Sequence, residues 1–234
     1  MNNPFNFFDR IFCINLDSRP DRWERCLDQF KIFGIDDKVQ RFSAIKIVDQ
    51  NNESNKFLGR CGCSLSHFEI CKIAKKENLK NYLVLEDDFE FNFDVETTFD
   101  LLNKAIIDIP NDWDMFYMGA NLTDQYGIFP IENFSKNLFK LKSCHTTHAI
   151  AFNNKFYDSF LENAPDINSI FEWTINHEVI DVFLSKNVLN KINCFINKEI
   201  IINQSAGFSD IEKNSFDYRD WIASNFEFFK KQIQ

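Results

Sequence analysis

The stretch YLVLEDD at residues 82–88 decides the expected fold. Its first four residues are apolar or aromatic, which is typical of a strand buried on both faces of a parallel sheet. The carboxylates of Glu86, Asp87 and Asp88 follow where the strand ends, and open α/β sheets bind ligands at that edge. Close carboxylates repel each other, and a divalent cation relieves the repulsion. The stretch therefore predicts a Mg²⁺ or Mn²⁺ site that also takes substrate phosphates, with a solvated acidic turn or a helix cap as the alternative.

The segments around this strand alternate between strand and helix. The apolar run at 10–16 predicts a first strand, and the next helix has a capping box of Ser18 and Asp21 and ends at Gly34. Later strands are predicted at 39–45, 113–118, 138–142, 147–152, 190–196 and 199–203, helices at about 62–78, 93–108, 154–163, 170–187 and 216–231, and surface loops at 49–56 and 119–137. This alternation, without repeats or linkers, predicts one α/β domain over residues 1–234 with a mostly parallel central sheet flanked by helices.

The composition argues against several classes of protein. The 234 residues carry 26 Lys and Arg against 35 Asp and Glu, a net charge of −9. Nucleic acid and anionic lipid both need a basic surface, so neither is an expected partner. The first ten residues lack the features of a signal peptide, and no apolar run approaches the roughly 18 residues of a membrane span. We expect a cytoplasmic protein without a membrane span, whose seven cysteines are reduced.

A literal Asp-x-Asp motif, Asp112 and Asp114, competes with the acidic stretch as a metal site. These aspartates precede their strand, which places them at the opposite edge of a parallel sheet and favours a turn or capping role. No G-x-G-x-x-G, Walker-type loop, G-x-S-x-G elbow or H-E-x-x-H occurs in the sequence. Dinucleotide oxidoreductases, P-loop NTPases, serine hydrolases and zincins therefore lack their usual sequence support.

The helix predicted at about 62–78 carries a second set of possible ligands. Four side chains at its start could bind zinc, or could simply line a buried helix end: Cys61, Cys63, His67 and Cys71. The hydroxyls of Ser64 and Ser66, with the free N–H groups of a helix start, could instead hold a phosphate or a sugar.

Three further residues carry possible chemistry. Asp181 is the interior acid of the apolar helical pattern EVIDVFL at 178–184, and it is either functional or a surface-facing aspartate. His145 and His148 lie three residues apart at the entry to a strand, where their side chains face opposite ways, so we do not expect them to share a metal.

Taken in order, seven motifs resemble glycosyltransferase family 25, which contains bacterial lipooligosaccharide galactosyltransferases and collagen galactosyltransferases. The motifs are INLDSRPDR (14–22), GCSLSH (62–67), LEDD (85–88), WDMFYMG (113–119), THA (147–149), ID (180–181) and QSAGFSDI (204–211). The resemblance covers about residues 10–212. The chain departs from it in having Asn203 and Gln204 near the place where some members carry a histidine.

The resemblance implies a GT-A fold, a nucleotide-sugar donor, a divalent metal and inversion at the anomeric carbon. We expect transfer of a hexose, galactose from UDP-galactose, to a hydroxyl of a glycan or glycosylated protein, as in lipopolysaccharide biosynthesis. Three alternatives remain: UDP-glucose or another donor on the same fold, a catalytically idle binding module, and a small zinc-stabilised domain.

The expected roles follow from the resemblance and from position. Asp88 would bind the metal directly, and Glu86 and Asp87 would hold the ribose, a metal-bound water or a second coordination position. Glu86 is the expected second metal ligand. The expected donor-binding set is Asn15, Arg19, Arg22, Ser64, Ser66, Glu86 and Asp87. Inversion needs a base opposite the departing diphosphate, and Asp181 is expected in that role, with Asp210 as the main competitor and Glu178 as a weaker one.

Overall fold

The computed structural model describes residues 3–48, 54–211 and 214–233. Within them the strands are β1 (Arg10–Asn15), β2 (Val39–Ser43), β3 (Asn81–Glu86), β4 (Phe89–Phe91), β5 (Met115–Tyr117), β6 (Asn121–Leu122), β7 (Ile131–Asn133), β8 (Leu138–Leu141), β9 (Cys144–His145), β10 (Ala149–Asn153), β11 (Cys194–Asn197), β12 (Ile202–Gln204), β13 (Gly207–Ser209) and β14 (Asn214–Phe216). The helices are α1 (Pro20–Phe33), α2 (Asn55–Lys76), α3 (Val95–Asp108), α4 (Asn154–Leu161), α5 (Ile170–His177), α6 (Ile180–Phe183) and α7 (Arg219–Gln232). Short 3-10 turns cover Pro4–Phe7 and Leu189–Lys191, and a π turn covers Leu184–Val188.

The described residues form one eight-stranded sheet, in the order β2-β1-β3-β10-β5-β11-β8-β7. β10 and β8 run antiparallel to their neighbours, and the other six strands run in one direction. The predicted α/β class with a mostly parallel sheet is therefore confirmed. Two small strand pairs, β4 with β12 and β13 with β14, lie at the end of the sheet where β3 finishes.

Alternate residues of β1 and β3 enter two hydrophobic cores, one on each face of the sheet. Phe12 and Val84 pack into the core that holds α2 and α7, whereas Ile11 and Leu83 pack into the core that holds α1 and α3. Both faces of these strands are covered, which explains why the sequence shows continuous apolar runs instead of alternation. The strand ends are thereby fixed in position, and the polar residues that follow them are fixed with them.

The start of α2 and the cap of α1 differ from the prediction. α2 begins at Asn55 and not at about Gly62, because the Oγ of Ser54 accepts a hydrogen bond from the N–H of Phe57 and caps the helix. The end of the predicted loop at 49–56 therefore belongs to α2, and residues 49–53 lie outside the described part of the chain. α1 begins at Pro20 as expected, but its N-cap residue is Arg19 without a side-chain cap, so the predicted capping box is wrong.

The helix predicted at 170–187 is broken into short pieces. Glu178 has φ +70°, a backbone conformation that ends α5 after His177. Asp181 consequently lies in the first turn of the separate helix α6 instead of inside a long one. Every helix in the described residues is too short or too polar to cross a membrane. All seven cysteines are free, as expected.

Candidate active site

Two adjoining cavities open beside the acidic residues at the end of β3. One has a volume of about 710 Å³ and the other of about 280 Å³. Arg22, Cys63, Glu86, Asp88 and Gln204 line both of them. The acidic stretch therefore lies where two spaces large enough for ligand groups meet, at the sheet edge that binds ligands in open α/β folds.

Asp87 is held by the protein itself. β1 and β3 are parallel neighbours, so Asn15 at the end of β1 reaches Asp87, and its Nδ2 donates to Oδ2 at 2.7 Å. The Oδ1 of Asp87 accepts a hydrogen bond from the guanidinium of Arg22 at 2.6 Å. Asn15 and Asp87 are 1% and 7% exposed. Both carboxylate oxygens of Asp87 are thus satisfied, and the residue anchors the start of α1 to the end of β3.

Asp88 has a carboxylate that the described residues satisfy only in part. Its Oδ2 accepts a hydrogen bond from the Nε2 of Gln204 at 2.8 Å, whereas its Oδ1 is buried and has no donor within the described residues. Burial, with the charges of Glu86 and Asp87, raises the pKa of Asp88 to about 7. A buried oxygen without a partner is costly, and a divalent cation would supply that partner and relieve the repulsion. The carboxylate oxygens here fit Mg²⁺ or Mn²⁺.

Glu86 is held in place by His67 and Thr147. Its Oε1 accepts a hydrogen bond from the hydroxyl of Thr147 at 2.5 Å and lies 3.1 Å from the Nε2 of His67. Burial by itself would raise the pKa of Glu86, but the bonds to His67 and Thr147 outweigh it and hold that pKa below its usual value. Glu86 is therefore an ionised carboxylate, fixed next to Asp88.

The four residues considered as zinc ligands are not brought together. The Sγ of Cys61 bonds a threonine hydroxyl of α5 at 3.3 Å, and burial raises the pKa of Cys71 to about 12. Three possible ligand atoms, from Cys63, His67 and Glu86, do lie within 4.8 Å of one another. However, burial and the nearby carboxylates raise the pKa of Cys63 well above its usual value, which keeps the thiol protonated. This trio is a poor match to the predicted zinc set.

Ser64 and Ser66 lie in the middle of α2, and both are fully buried. The hydroxyl of Ser66 donates to the carbonyl oxygen of Gly62 at 2.7 Å and accepts from the N–H of Ile45 at 2.9 Å. Since the helix starts at Asn55, this segment has no free N–H groups of a helix start. Ser66 nevertheless lines the smaller cavity, so a phosphate or sugar contact at these serines stays a prediction, without the support of a helix start.

Arg19 and Arg22 tie the segment 204–211 to the start of α1. Arg19 donates to the Oδ2 of Asp210 at 2.5 Å, and Arg22 donates to the carbonyl oxygen of Phe208 at 2.5 Å. Both arginines line the larger cavity, where their guanidinium groups could pair phosphate oxygens. Asp210 lines only the smaller cavity of the two and is already engaged in an ion pair.

Asp181 lines the larger cavity. Its Oδ2 accepts the N–H of Thr146 at 3.0 Å and its Oδ1 accepts the N–H of Val182 at 2.7 Å. Thr146 has φ +72°, a left-handed conformation that is rare and strained for a β-branched residue. Glu178, also at positive φ, lines the same cavity but forms an ion pair with Lys186 at 2.6 Å. The structure therefore fixes the direction of the Asp181 carboxylate at some cost in backbone strain.

The remaining acids and histidines behave largely as the sequence suggests. Asp112 and Asp114 lie at the opposite edge of the sheet, where both accept hydrogen bonds from Asn193. The Nε2 of His145 is 2.8 Å from a tyrosine hydroxyl in the larger cavity, whereas the Nε2 of His148 is 3.0 Å from a buried backbone carbonyl. The two histidines have separate partners and share no ligand position.

The sequence patterns assign no role to Thr147 or Gln204, although each is the direct partner of a site carboxylate. Gln204 ends β12, which pairs antiparallel with β4 so that Gln204 stands opposite Phe89. That pairing brings its amide beside Asp88. In the sequence, both residues lie in motifs that resemble glycosyltransferase family 25, THA (147–149) and QSAGFSDI (204–211). The pairing between distant segments, however, could not be predicted from the spacing of the motifs.

The N-terminal two thirds of the chain match a known family. The model of a family described as Glycosyltransferase family 25 (LPS biosynthesis protein) matches residues 8–163. Procollagen galactosyltransferase 1-B of Xenopus laevis is 32% identical over 129 residues, which cover 48% of this chain and 21% of that protein. Inactive glycosyltransferase 25 family member 3 of Homo sapiens is 31% identical over 129 residues, covering 48% of this chain and 22% of that protein.

The chain thus spans about a fifth of the length of these relatives. Among solved structures, mannose-1-phosphate geranyltransferase from Thermus thermophilus aligns with a TM-score of 0.42 and 9% identity, over 80% of this chain and 72% of that one.

Proposed function

Since the chain belongs to glycosyltransferase family 25, we propose that it is a metal-dependent, inverting glycosyltransferase that moves galactose from UDP-galactose to a hydroxyl of a glycan or glycosylated protein. One observation carries the proposal: the carboxylates of Glu86 and Asp88, with a buried oxygen of Asp88 left without a partner in the described residues, lie where two cavities meet. The name of the procollagen relative supports galactose, and the family description supports lipopolysaccharide biosynthesis.

We further propose that residues 1–234 act as one GT-A-like domain in the cytoplasm, without nucleic acid as a partner. The continuous sheet from β7 to β2 supports the single domain, and the net charge of −9 supports the absence of nucleic acid.

The smaller cavity would take the nucleoside of the donor. Its apolar wall suits a base and is formed by Leu16, Ile45, Ile47 and Leu58. Arg19 and Arg22 border the adjoining space and would pair the diphosphate, which explains why two arginines lie beside so many acids. Asn15 would contribute to donor binding only indirectly, because its side-chain amide donates a hydrogen bond to Asp87.

Asp88, through its Oδ1, and Glu86 would hold Mn²⁺ or Mg²⁺ next to the diphosphate. Such an ion, when bound, supplies Lewis-acid stabilisation of the charge on the departing UDP. The protein contributes the orientation of both ligands. Gln204 fixes Asp88, His67 and Thr147 fix Glu86, and these bonds hold the carboxylates in place before the donor arrives.

Asp181 would be the general base that takes the proton from the acceptor hydroxyl. It lines the larger cavity that Glu86 and Asp88 also reach, and its two backbone hydrogen bonds fix its direction. Its competitors are both engaged: Asp210 is paired with Arg19 and Glu178 is paired with Lys186. The carboxylate of Asp181 has no cationic partner among the described residues, which favours it as the proton acceptor.

A second candidate function is a glycosyltransferase-like module that binds nucleotide sugar without catalysis. The observation that favours it is the relative named as inactive, which matches this chain about as well as the active enzymes do.

A screen of nucleotide sugars for hydrolysis in the presence of Mn²⁺ tests the proposal and separates the two functions. We expect release of UDP and galactose from UDP-galactose, abolished in Asp88→Asn and retained in the matched control Asp112→Asn, which alters an exposed aspartate at the far sheet edge. Preferred hydrolysis of UDP-glucose would correct the donor. Binding of UDP without hydrolysis or transfer on a glycan array would favour the idle module.

A further inference from the structure

The larger cavity is lined by two groups of aromatic side chains. In the first group Phe216 stacks on Tyr218 with ring centroids 5.0 Å apart, and Tyr218 lies 6.0 Å from Trp221. In the second group Tyr126 and His145 pack with centroids 5.7 Å apart. All five residues line the cavity. They form two aromatic walls, one from the end of β14 and the start of α7 and one from the loop after β6 together with β9.

The hydrophobic core explains only part of the first aromatic wall, since Tyr218 packs against it but Trp221 does not. Trp221 is 50% exposed, at the rim of the cavity, so its ring leaves a large apolar surface open to solvent. A single exposed aromatic residue is ordinary, but here the exposed ring continues a row of two more that runs into the cavity. The wall also lies outside residues 8–163, the part of the chain that the family model matches.

The groups near the walls are polar. The hydroxyl of Tyr126 and the Nε2 of His145 are 2.8 Å apart, and the carboxylate of Asp181 lines the same cavity. A pyranose ring has a face of C–H groups that packs on an aromatic ring and an edge of hydroxyls that bonds to carboxylates, phenols and imidazoles. The cavity offers both kinds of contact. The nucleobase of the donor, which could also stack, has its own apolar place in the smaller cavity.

We propose that the larger cavity is an acceptor subsite for a pyranose, which packs on Trp221 and Tyr218 and presents a ring hydroxyl to Asp181. This inference rests on the proposed function and narrows it: the acceptor hydroxyl belongs to a sugar and not to an amino-acid side chain. Tyr126 and His145 contact other hydroxyls of the same sugar.

The test uses three methyl pyranosides as probes, those of β-galactose, β-glucose and N-acetyl-β-glucosamine, with saturation-transfer NMR on the full chain. We expect at least one to bind the unaltered protein, with affinity about tenfold weaker in Trp221→Ala and largely restored in Trp221→Phe. Phe228→Ala is the matched control: it removes a 57% exposed ring from the same helix, two turns further on and outside this cavity. Its affinity for the probe should not change.

Failure of this inference is distinguishable from failure of the proposed function. Calorimetry with UDP and Mn²⁺ on the same proteins reports the donor side alone, and retained UDP affinity in Trp221→Ala shows that the variant is folded. If UDP binds but none of the three pyranosides does, or if Trp221→Ala binds them as tightly as the unaltered chain, the acceptor subsite is overturned while the proposed function stands. Transfer to a peptide that carries no sugar would overturn it as well.

Discussion

Replacing Asp87 by Ala should destabilise the protein strongly, although Asp87 has no free oxygen for a ligand. Its carboxylate joins Arg22 and Asn15, at 2.6 and 2.7 Å, and so connects α1 to the ends of β1 and β3. The side chains of Arg22 and Asp87 are only 13% and 10% exposed. Removing the carboxylate leaves a nearly buried guanidinium without its counter-charge and an amide without its acceptor.

The expected loss follows from these contacts. Removing one partner of a buried ion pair costs about 3–5 kcal/mol, and the slight exposure of this pair puts it at the lower end of that range. The lost bond to Asn15 adds about 1 kcal/mol. We therefore expect the free energy of unfolding to fall by about 3–4 kcal/mol, a large part of the 5–15 kcal/mol that is typical of a domain.

Equilibrium unfolding in urea, followed by circular dichroism, measures the loss. The matched control is Asp21→Ala. Its carboxylate lies 2.8 Å from Arg19, and the side chain of Asp21 is 63% exposed. That change should cost at most about 1 kcal/mol. The double variant Asp87→Ala with Arg22→Met should recover part of the loss, because the unpaired charge is gone. A loss below about 1 kcal/mol in Asp87→Ala, or equal losses in both aspartate variants, would refute the assignment of Asp87 as a buried anchor.

Three further predictions concern catalysis and packing. Asp181→Asn should lower transfer by roughly 100-fold while UDP binding persists; survival of transfer there and its loss in Asp210→Asn would mean that the base is misassigned. Gly62→Ala should cost about 1–3 kcal/mol in urea unfolding, because a Cβ would come 2.1 Å from the carbonyl oxygen of Ile45; a neutral effect would contradict this close approach. Asp108 accepts three hydrogen bonds that, led by the one from a serine hydroxyl, lower its pKa from 3.8. The difference in free energy of unfolding between the unaltered chain and Asp108→Ala should be complete above pH 3.8 and should vanish as the pH falls through the lowered pKa of Asp108. A difference between the two proteins that persists in acid would contradict the ionic role.

The sequence was informative where one segment determines its own structure. The apolar run before Glu86 requires burial on both faces, so the strand and the position of the carboxylates at its end could be predicted. Asp112 precedes its strand, so it could be placed at the opposite edge of the parallel sheet, where the structure also has it. α1 begins at Pro20 and ends at Gly34, since each of these residues has a backbone preference that acts locally.

The sequence was not informative where distant segments meet. The start of α2 depends on Ser54, a cap that looked like part of a polar loop. The break at Glu178 is a backbone conformation that no local pattern indicates, and it moves Asp181 from a helix interior to a first turn. Gln204 meets Asp88, 116 residues earlier in the sequence, only because β12 pairs with β4. Such contacts are set by tertiary packing, which overrides local propensity.

Calorimetric titration of UDP into the protein, with and without Mn²⁺, tests the metal site directly when the unaltered chain is compared with Asp88→Asn and Asp112→Asn. We expect UDP binding that needs Mn²⁺ in the unaltered chain and in Asp112→Asn. In Asp88→Asn we expect no Mn²⁺-dependent binding, although its circular dichroism should show a folded domain. Metal-dependent binding of equal strength in Asp88→Asn, or its loss in Asp112→Asn, would contradict the assignment of the metal and donor site to the end of β3.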